Sequence, residues 1–485
     1  MLSLIPLLLL LLQTAQEPAP KVLMIGIDGV RPDCLVSANT PHLDALAAKG
    51  VLKLNARTTS ITSSGPAWAT ILTGARMSMH GVHDNSFEGL RLNECPTWLA
   101  QAELAQPDLF TASVAQWAPI HQHLFLKGSV DFSAAADSGA MVSQTAIDLL
   151  QDNQKDVDAL FLHYDDVDHA GHAHGYAVDI PEYIAAIEQV DAEIGLVLKA
   201  IRARKAATKE AWLILVGTDH GGKDKGHGAD IPECRRVFML ASGPNAAQWR
   251  DSAETHDFAP AALQHLGFKG ARIPSPRTDP WWVARQAELN QRAATNTDAK
   301  IVFLGDSITH LWEHAGHAIW RKHYADHAAI NLGISGDRTE HVLWRLRNGN
   351  LDGLAPKVVV LMIGSNNSGQ INQEPKQTFL GIQAIVAELR FQLPQTHILL
   401  LGIFPRGAKA DHPHRILNRR VNELLQPWAA KQSQLDFMNI NLHFLTENAT
   451  LSPEIMPDLL HPNARGYQIW ADAIETKLAE AFSTT

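Results

Sequence analysis

Four stretches of the sequence gather residues that can do hydrolytic chemistry, and each follows an apolar run. Residues 301–304, Ile-Val-Phe-Leu, break into Gly305-Asp306-Ser307, which exposes a serine where a strand hands over to a helix. A hydroxyl in such a turn can act as a nucleophile, although Asp and Ser are equally at home as helix caps. Residues 21–27 run into Asp28-Gly29. Residues 158–162 run into a stretch, 163–176, made mostly of Asp, His and Tyr and including Asp168 and His172. Residues 212–216 lead to Thr218-Asp219-His220-Gly221, with His227 in the same loop. Three strands that end in carboxylates and imidazoles would converge on one sheet edge, where they could hold a cation. Hydroxyls at 58–64, Ser64 among them, precede a helix with Pro66 in its first turn. A helix N-terminus there favours an anionic group such as phosphate.

Such side chains need a scaffold, and the pattern of the chain supplies one. Past residue 298 apolar runs at 301–304, 328–332, 357–363, 397–403 and 435–440 alternate with helical stretches, which predicts a parallel sheet with helices on both faces. Polar blocks follow these runs: Ser335-Gly336-Asp337-Arg338-Thr339, then Gly364-Ser365-Asn366-Asn367. Asp458 and His461 stand just before the closing helix. Open parallel sheets bind ligands beyond the carboxyl ends of their strands, where these residues lie. The expected organisation is an N-terminal α/β domain over 20–270, a linker over 271–298 and a second α/β domain over 299–485. The linker carries Trp281-Trp282, expected to dock one domain on the other by aromatic burial, with a sugar-stacking platform as the alternative.

Composition sets the class. The 485 residues exceed one ordinary core, and 46% hydrophobic with 19% charged residues describes a globular protein. A net charge of −10 argues against nucleic acid or an anionic membrane as partner. Residues 1–16 read as a signal peptide, too short in apolar residues to span a bilayer, so an exported (periplasmic or secreted) protein without a stable membrane anchor is expected. Cys34, Cys95 and Cys234 allow at most one disulfide with a free thiol, or three buried thiols.

Two family resemblances give these residues roles. Ile27-Asp28-Gly29, Ser64-x-Pro66, Leu72-Thr73-Gly74, Asp168-x-x-Gly171-His172, Thr218-Asp219-His220-Gly221 and His227-Gly228 resemble the alkaline-phosphatase superfamily, nearest its type I phosphodiesterase/nucleotide pyrophosphatase branch. The resemblance implies an α/β/α sandwich with two zinc ions. Asp28, Ser64, Asp219 and His220 would hold one, and Asp168, His172 and His227 the other, with Ser64 as nucleophile and Asp165 a possible substitute for Asp168. Aspartate with histidine suits zinc better than magnesium or calcium. Ala67 stands where the family more often has an asparagine that donates to phosphate. Trp68 occupies the arginine position of the sulfatases, which share this fold, and so speaks against their formylglycine chemistry.

Residues 298–482 resemble the SGNH/GDSL hydrolases, nearest the platelet-activating-factor acetylhydrolase Ib catalytic subunits, through Gly305-Asp306-Ser307, the blocks at 335–339 and 364–367 and Asp458 with His461, together with His341-Val342-Leu343-Trp344-Arg345-Leu346 and Leu401 to Gly407. This implies a flavodoxin-like three-layer α/β/α domain that needs no cofactor. Ser307 would attack, His461 would accept its proton and Asp458 would orient the imidazole. The Ser307 and Gly336 N–H groups and the Asn366 amide would form the oxyanion hole. The expected whole is an exported bifunctional hydrolase of small-molecule or carbohydrate esters. In the alternatives the N-terminal domain is a metal-binding recognition module or cleaves sulfate esters.

Overall fold

The computed structural model describes residues 18–125, 128–248 and 254–483, and the expected signal peptide lies outside them. The chain divides into two compact units. The first comprises the described residues up to Leu72 with His83–Phe87 and Thr97–Gly267; the second comprises Thr73–Val82, Glu88–Pro96 and Phe268 onward. Among the described residues no helix is long and apolar enough to cross a membrane.

The first unit is built on a seven-stranded sheet of β1 (Ala19–Ile27), β2 (Gly50–Arg57), β3 (Phe110–Ala115), β4 (Phe132–Ala135), β5 (Val157–Tyr164), β6 (Glu210–Gly217) and β7 (Arg236–Ser242). Its order is β2-β7-β6-β1-β5-β3-β4. Strands β6, β1 and β5 are adjacent and parallel, while β7 runs antiparallel to both of its neighbours. Residues Val22 to Ile27 of β1 are buried, as a strand covered on both faces demands. Because these three central strands point the same way, Asp28, the stretch after Tyr164 and Thr218–His220 all emerge at one edge.

The second unit holds a five-stranded, wholly parallel sheet of β8 (Ile301–Gly305), β9 (Ala329–Gly333), β10 (Val358–Met362), β11 (His397–Leu401) and β12 (Leu435–Met438). The order β12-β11-β10-β8-β9 is the flavodoxin-like 2-1-3-4-5 arrangement. The order reverses at β8, so the ends of β8, β9 and β10 flank the switch point, and Ser307, Gly336 and Asn366 follow these three strands.

Residues 271–298 contain a helix, Pro280–Thr295. Trp282, Leu289 and Ala293 on it are buried in the second unit's own apolar core. Trp282 therefore does not serve as a dock between domains: its indole donates to Asp337 Oδ1 at 2.7 Å inside the second unit. All three cysteines are free and buried, which selects the buried-thiol alternative.

Candidate active sites

In the second unit the strand-turn-serine is held from several sides. Asp306 caps the short helix Ser307–His310 by accepting from Ile308 N at 3.0 Å, so its carboxylate serves the turn. A Cβ on Gly305 would lie 2.2 Å from Met362 O, which is why this position carries no side chain. Tyr467, fully buried, donates its hydroxyl to Ile308 O at 2.7 Å. Ser307 Oγ then lies 2.8 Å from His461 Nε2, and His461 Nδ1 lies 2.6 Å from Asp458 Oδ2. Asp458 Oδ1 accepts the N–H groups of Leu460 and His461. Burial pushes the Asp458 carboxyl up, but these bonds outweigh it and hold the group below the usual carboxylate range. A carboxylate can only accept, so the imidazole proton sits on Nδ1 and the Nε2 lone pair faces the serine.

The expected oxyanion donors stand on the neighbouring turns. Gly336 adopts a left-handed φ of 80°, and its N–H makes no hydrogen bond among the described residues. Asn366 spends one amide hydrogen on Asp337 O at 2.9 Å and keeps a second. Arg345, completely buried, ties the region together by donating to Asp337 Oδ2, Leu332 O and Gly305 O, the last two at the ends of β9 and β8.

In the first unit Ser64 opens the helix Ser64–Thr73 with Pro66 in its first turn, and Ser64 Oγ lies 3.4 Å from His220 Nε2. His220 Nε2 also lies 3.4 Å from Asp28 Oδ1 and 3.2 Å from Asp219 Oδ2. Asp168 Oδ2 lies 3.2 Å from His172 Nε2, which faces His227 Nε2 at 3.1 Å. Asp168 Oδ1 lies 3.9 Å from His227 Nε2. The structure thus brings together all seven residues expected as ligands.

Two tests show that these donors fit a cation. Asp28 Oδ1 and Asp219 Oδ2 are buried and lack a hydrogen-bond partner, although such oxygens are expensive to bury alone. Burial first, and then neighbouring carboxylates, raise the Asp28 and Asp219 carboxyls well above their usual range, a penalty that a positive ion would relieve. The second test is the histidine tautomer. His172, His220 and His227 each place Nδ1 against a backbone carbonyl, of Lys225, Gly221 and Thr62 respectively, at 2.8–3.0 Å. A carbonyl only accepts, so each Nδ1 is protonated and each Nε2 lone pair points inward, as in metal-bound imidazoles. Burial, reinforced by His220, lowers His227 to about 4 and keeps it neutral.

His163 differs. Its Nδ1 accepts from Trp117 N at 3.4 Å, so Nε2 carries the proton and donates to Asp28 Oδ2 at 3.2 Å. His163 therefore serves Asp28, even though Asp28, His163 and Asp165 lie close enough to form a donor group of their own. Asp165 instead pairs with His169 at 3.2 Å.

Several residues of the site escaped the sequence reading. Trp68, fully buried, donates Nε1 to Asp28 Oδ2 at 2.8 Å, so two donors occupy one carboxylate oxygen and leave Oδ1 to face His220. The Tyr176 hydroxyl donates to Asp168 Oδ1 at 2.6 Å. A Cβ on Gly171 would meet the Tyr176 ring at 2.2 Å, which accounts for the glycine of the Asp-x-x-Gly-His motif. Asn85 Oδ1 accepts from Gly65 N at 2.7 Å beside the nucleophile helix, an amide where Ala67 offers none. The signal for Trp68 and Tyr176 was an N–H or O–H tip on an aromatic ring within a ligand motif.

Two family models match the chain, one over each candidate site. Residues 22–231 match the family model described as type I phosphodiesterase / nucleotide pyrophosphatase, and residues 303–469 match the GDSL-like lipase/acylhydrolase family. Platelet-activating factor acetylhydrolase IB subunit alpha1 of Bos taurus is 37% identical over 200 residues, covering 41% of this chain and 84% of that protein. Subunit alpha2 of Gallus gallus is 37% identical over 208 residues, 42% of this chain and 88% of that protein. Murine ectonucleotide pyrophosphatase / phosphodiesterase 5 aligns structurally with 16% identity and a TM-score of 0.43, covering 54% of this chain and 98% of that one. The chain is thus a hydrolase that belongs to the GDSL-like lipase/acylhydrolase family through its second unit, and its residues 22–231 match the type I phosphodiesterase / nucleotide pyrophosphatase model.

Proposed function

We propose that the chain is an exported bifunctional hydrolase. Its second unit cleaves short acyl esters, foremost O-acetyl groups on a carbohydrate or lipid, and its first unit cleaves phosphodiesters or phosphomonoesters. The observation that carries the esterase reading is the unbroken relay from Ser307 through His461 to Asp458, at 2.8 and 2.6 Å. In that reading His461 Nε2 takes the Ser307 proton as Oγ bonds to the ester carbonyl carbon, and the carbonyl π electrons move to oxygen. Gly336 N–H and the Asn366 amide face the resulting oxyanion. His461 returns the proton to the departing alcohol, and water then releases the acid by the same steps in reverse order of roles. The acetylhydrolase relatives support a short acyl group.

In the first unit Ser64 is the nucleophile of the proposal. Asp28, Ser64, Asp219 and His220 would hold one zinc ion and Asp168, His172 and His227 a second, which would supply an acidified hydroxyl and charge to offset the phosphoryl oxygens. Trp68 and His163 orient Asp28, Tyr176 orients Asp168, and the N-terminus of the helix Ser64–Thr73 favours the phosphoryl anion.

Two assays test the proposal. Ser307→Ala should abolish p-nitrophenyl acetate turnover with folding intact, and a surviving rate would remove the esterase assignment. Chelation should abolish cleavage of bis-p-nitrophenyl phosphate and zinc should restore it, while activity indifferent to both would remove the metal mechanism. Zinc bound near two per chain without phosphoester turnover would favour a recognition module.

A further inference from the structure

The segment upstream of β8 bonds three times to residues 335–340, the loop that carries Gly336 and the first turn of the helix after it. Ser275 N donates to Glu340 O at 3.2 Å, Arg277 Nη1 donates to Ser335 O at 2.9 Å, and Trp282 Nε1 donates to Asp337 Oδ1 at 2.7 Å. The middle contact bears on chemistry. Ser335 C=O and Gly336 N–H belong to one peptide group, and in a trans peptide the two point in opposite directions. A guanidinium on the carbonyl therefore fixes the plane of that peptide and turns its N–H the other way.

We infer that Arg277 is a positioning residue for the oxyanion hole, aiming and polarising the Ser335–Gly336 peptide so that Gly336 N–H becomes a stronger donor. This rests on the esterase reading above. The charge on Arg277 draws electron density toward Ser335 O and leaves the N–H more positive, the mutual strengthening expected of linked hydrogen bonds. The arginine is itself held. Its Nε donates to Asp279 Oδ2 at 3.0 Å and its guanidinium lies 5.0 Å from the centre of the Trp281 ring. A Cβ on Gly336 would come within 2.6 Å of Arg277 Nη1, so the glycine answers to the arginine as well as to its own left-handed φ. Gly336 N–H has no partner among the described residues, so the polarisation is available to a substrate. When Ser307 Oγ bonds to the carbonyl carbon, the electron pair arriving on oxygen would meet this sharpened donor.

The test uses the full chain and p-nitrophenyl acetate, an uncharged ester that Arg277 has no charge to attract. Arg277→Ala should lower kcat about 10-fold, a fraction of the loss seen when a whole oxyanion donor is removed, and leave KM unchanged. Arg277→Lys should recover part of the rate, and ethylguanidinium added to Arg277→Ala should restore it in a saturable way. If Arg277→Ala does not fold, Arg277→Gln and Arg277→Lys give the same comparison. An unchanged kcat, a change confined to KM, or failure of both rescues would overturn the inference while Ser307-dependent turnover by the natural sequence still supported the esterase. Absence of Ser307-dependent turnover in the natural sequence would overturn both.

Discussion

Trp68→Phe isolates one hydrogen bond on which the geometry of the first site depends. Asp28 presents Oδ2 to Trp68 Nε1 at 2.8 Å and to His163 Nε2 at 3.2 Å, while Oδ1 faces His220 without a hydrogen-bond partner. Phenylalanine keeps an aromatic ring in the slot but has no N–H. A bond to a buried carboxylate contributes roughly 1.5–3 kcal/mol. Losing a group that orients a metal ligand lowers affinity roughly 10–100-fold, which is about 1.4–2.7 kcal/mol. The two routes agree, so affinity for the zinc proposed above should fall by one to two orders of magnitude. Melting temperature alone would mislead, because the smaller ring also leaves space in the core with or without metal. The assay is competition against a chromogenic zinc chelator, with calorimetric titration as a check on stoichiometry. Affinity within twofold of the natural sequence, with Trp68→Phe folded, would refute the idea that Trp68 orients Asp28 for a metal.

Two further outcomes follow from the second unit. Asp458→Asn should lower kcat on p-nitrophenyl acetate about 10³–10⁴-fold with little change in KM, because the imidazole loses the partner that keeps its proton on Nδ1; a loss below 10-fold would remove Asp458 from the relay. Asp306 is fully buried, and burial pushes its carboxyl up to about 7. An unfolded aspartate releases its proton near pH 3.9, so between about pH 4 and pH 7 the folded state holds a proton that the unfolded state has lost. Stability should therefore fall as pH rises through that window and level off above it. Asp306→Asn, which can still cap Ile308 N, should flatten this decline in urea unfolding of the second unit at pH 5 and pH 8; an identical decline in the variant would assign it to other groups.

What could be read in the sequence was what local pattern determines. The strands that carry the two candidate sites, β1, β5, β6, β8, β9 and β10, are apolar runs that break sharply into Asp, His, Ser or Gly, and both the runs and the breaks are visible in one dimension. Strands β2, β3, β4 and β7 went unread. In β2, Gly50–Arg57, the burial is mixed, and β4, Phe132–Ala135, is four residues long, so neither offers a sustained period. The residues proposed as ligands were legible because their types are chemically unusual at strand ends. Their orienters were not, because Trp68 reaches Asp28 across 40 positions and Arg277 reaches Ser335 across 58. Trp282 departs from the docking role its pattern predicts for a related reason. An aromatic pair in a proline-rich stretch shows that apolar surface must be covered, but not whether the cover comes from its own domain or from another. The histidine tautomers, which separate His163 from His172, His220 and His227, depend on carbonyl partners that no side-chain pattern encodes.

The helix Pro280–Thr295 also decides where this esterase can be cut free. A fragment begun at residue 299, where the apolar period of the sheet starts, would lack Trp282, and Asp337 would face Arg345 with half of its carboxylate unsatisfied. The same fragment would bare the core surface that Leu289 and Ala293 cover, an apolar patch open to self-association. A fragment begun at Phe268 would keep the helix Pro280–Thr295 as cover, with Arg277 still on Ser335 O, and would lack of the second unit only Thr73–Val82 and Glu88–Pro96. The stretch before the first strand, whose prolines make it look dispensable, thus belongs to the catalytic module for some thirty residues.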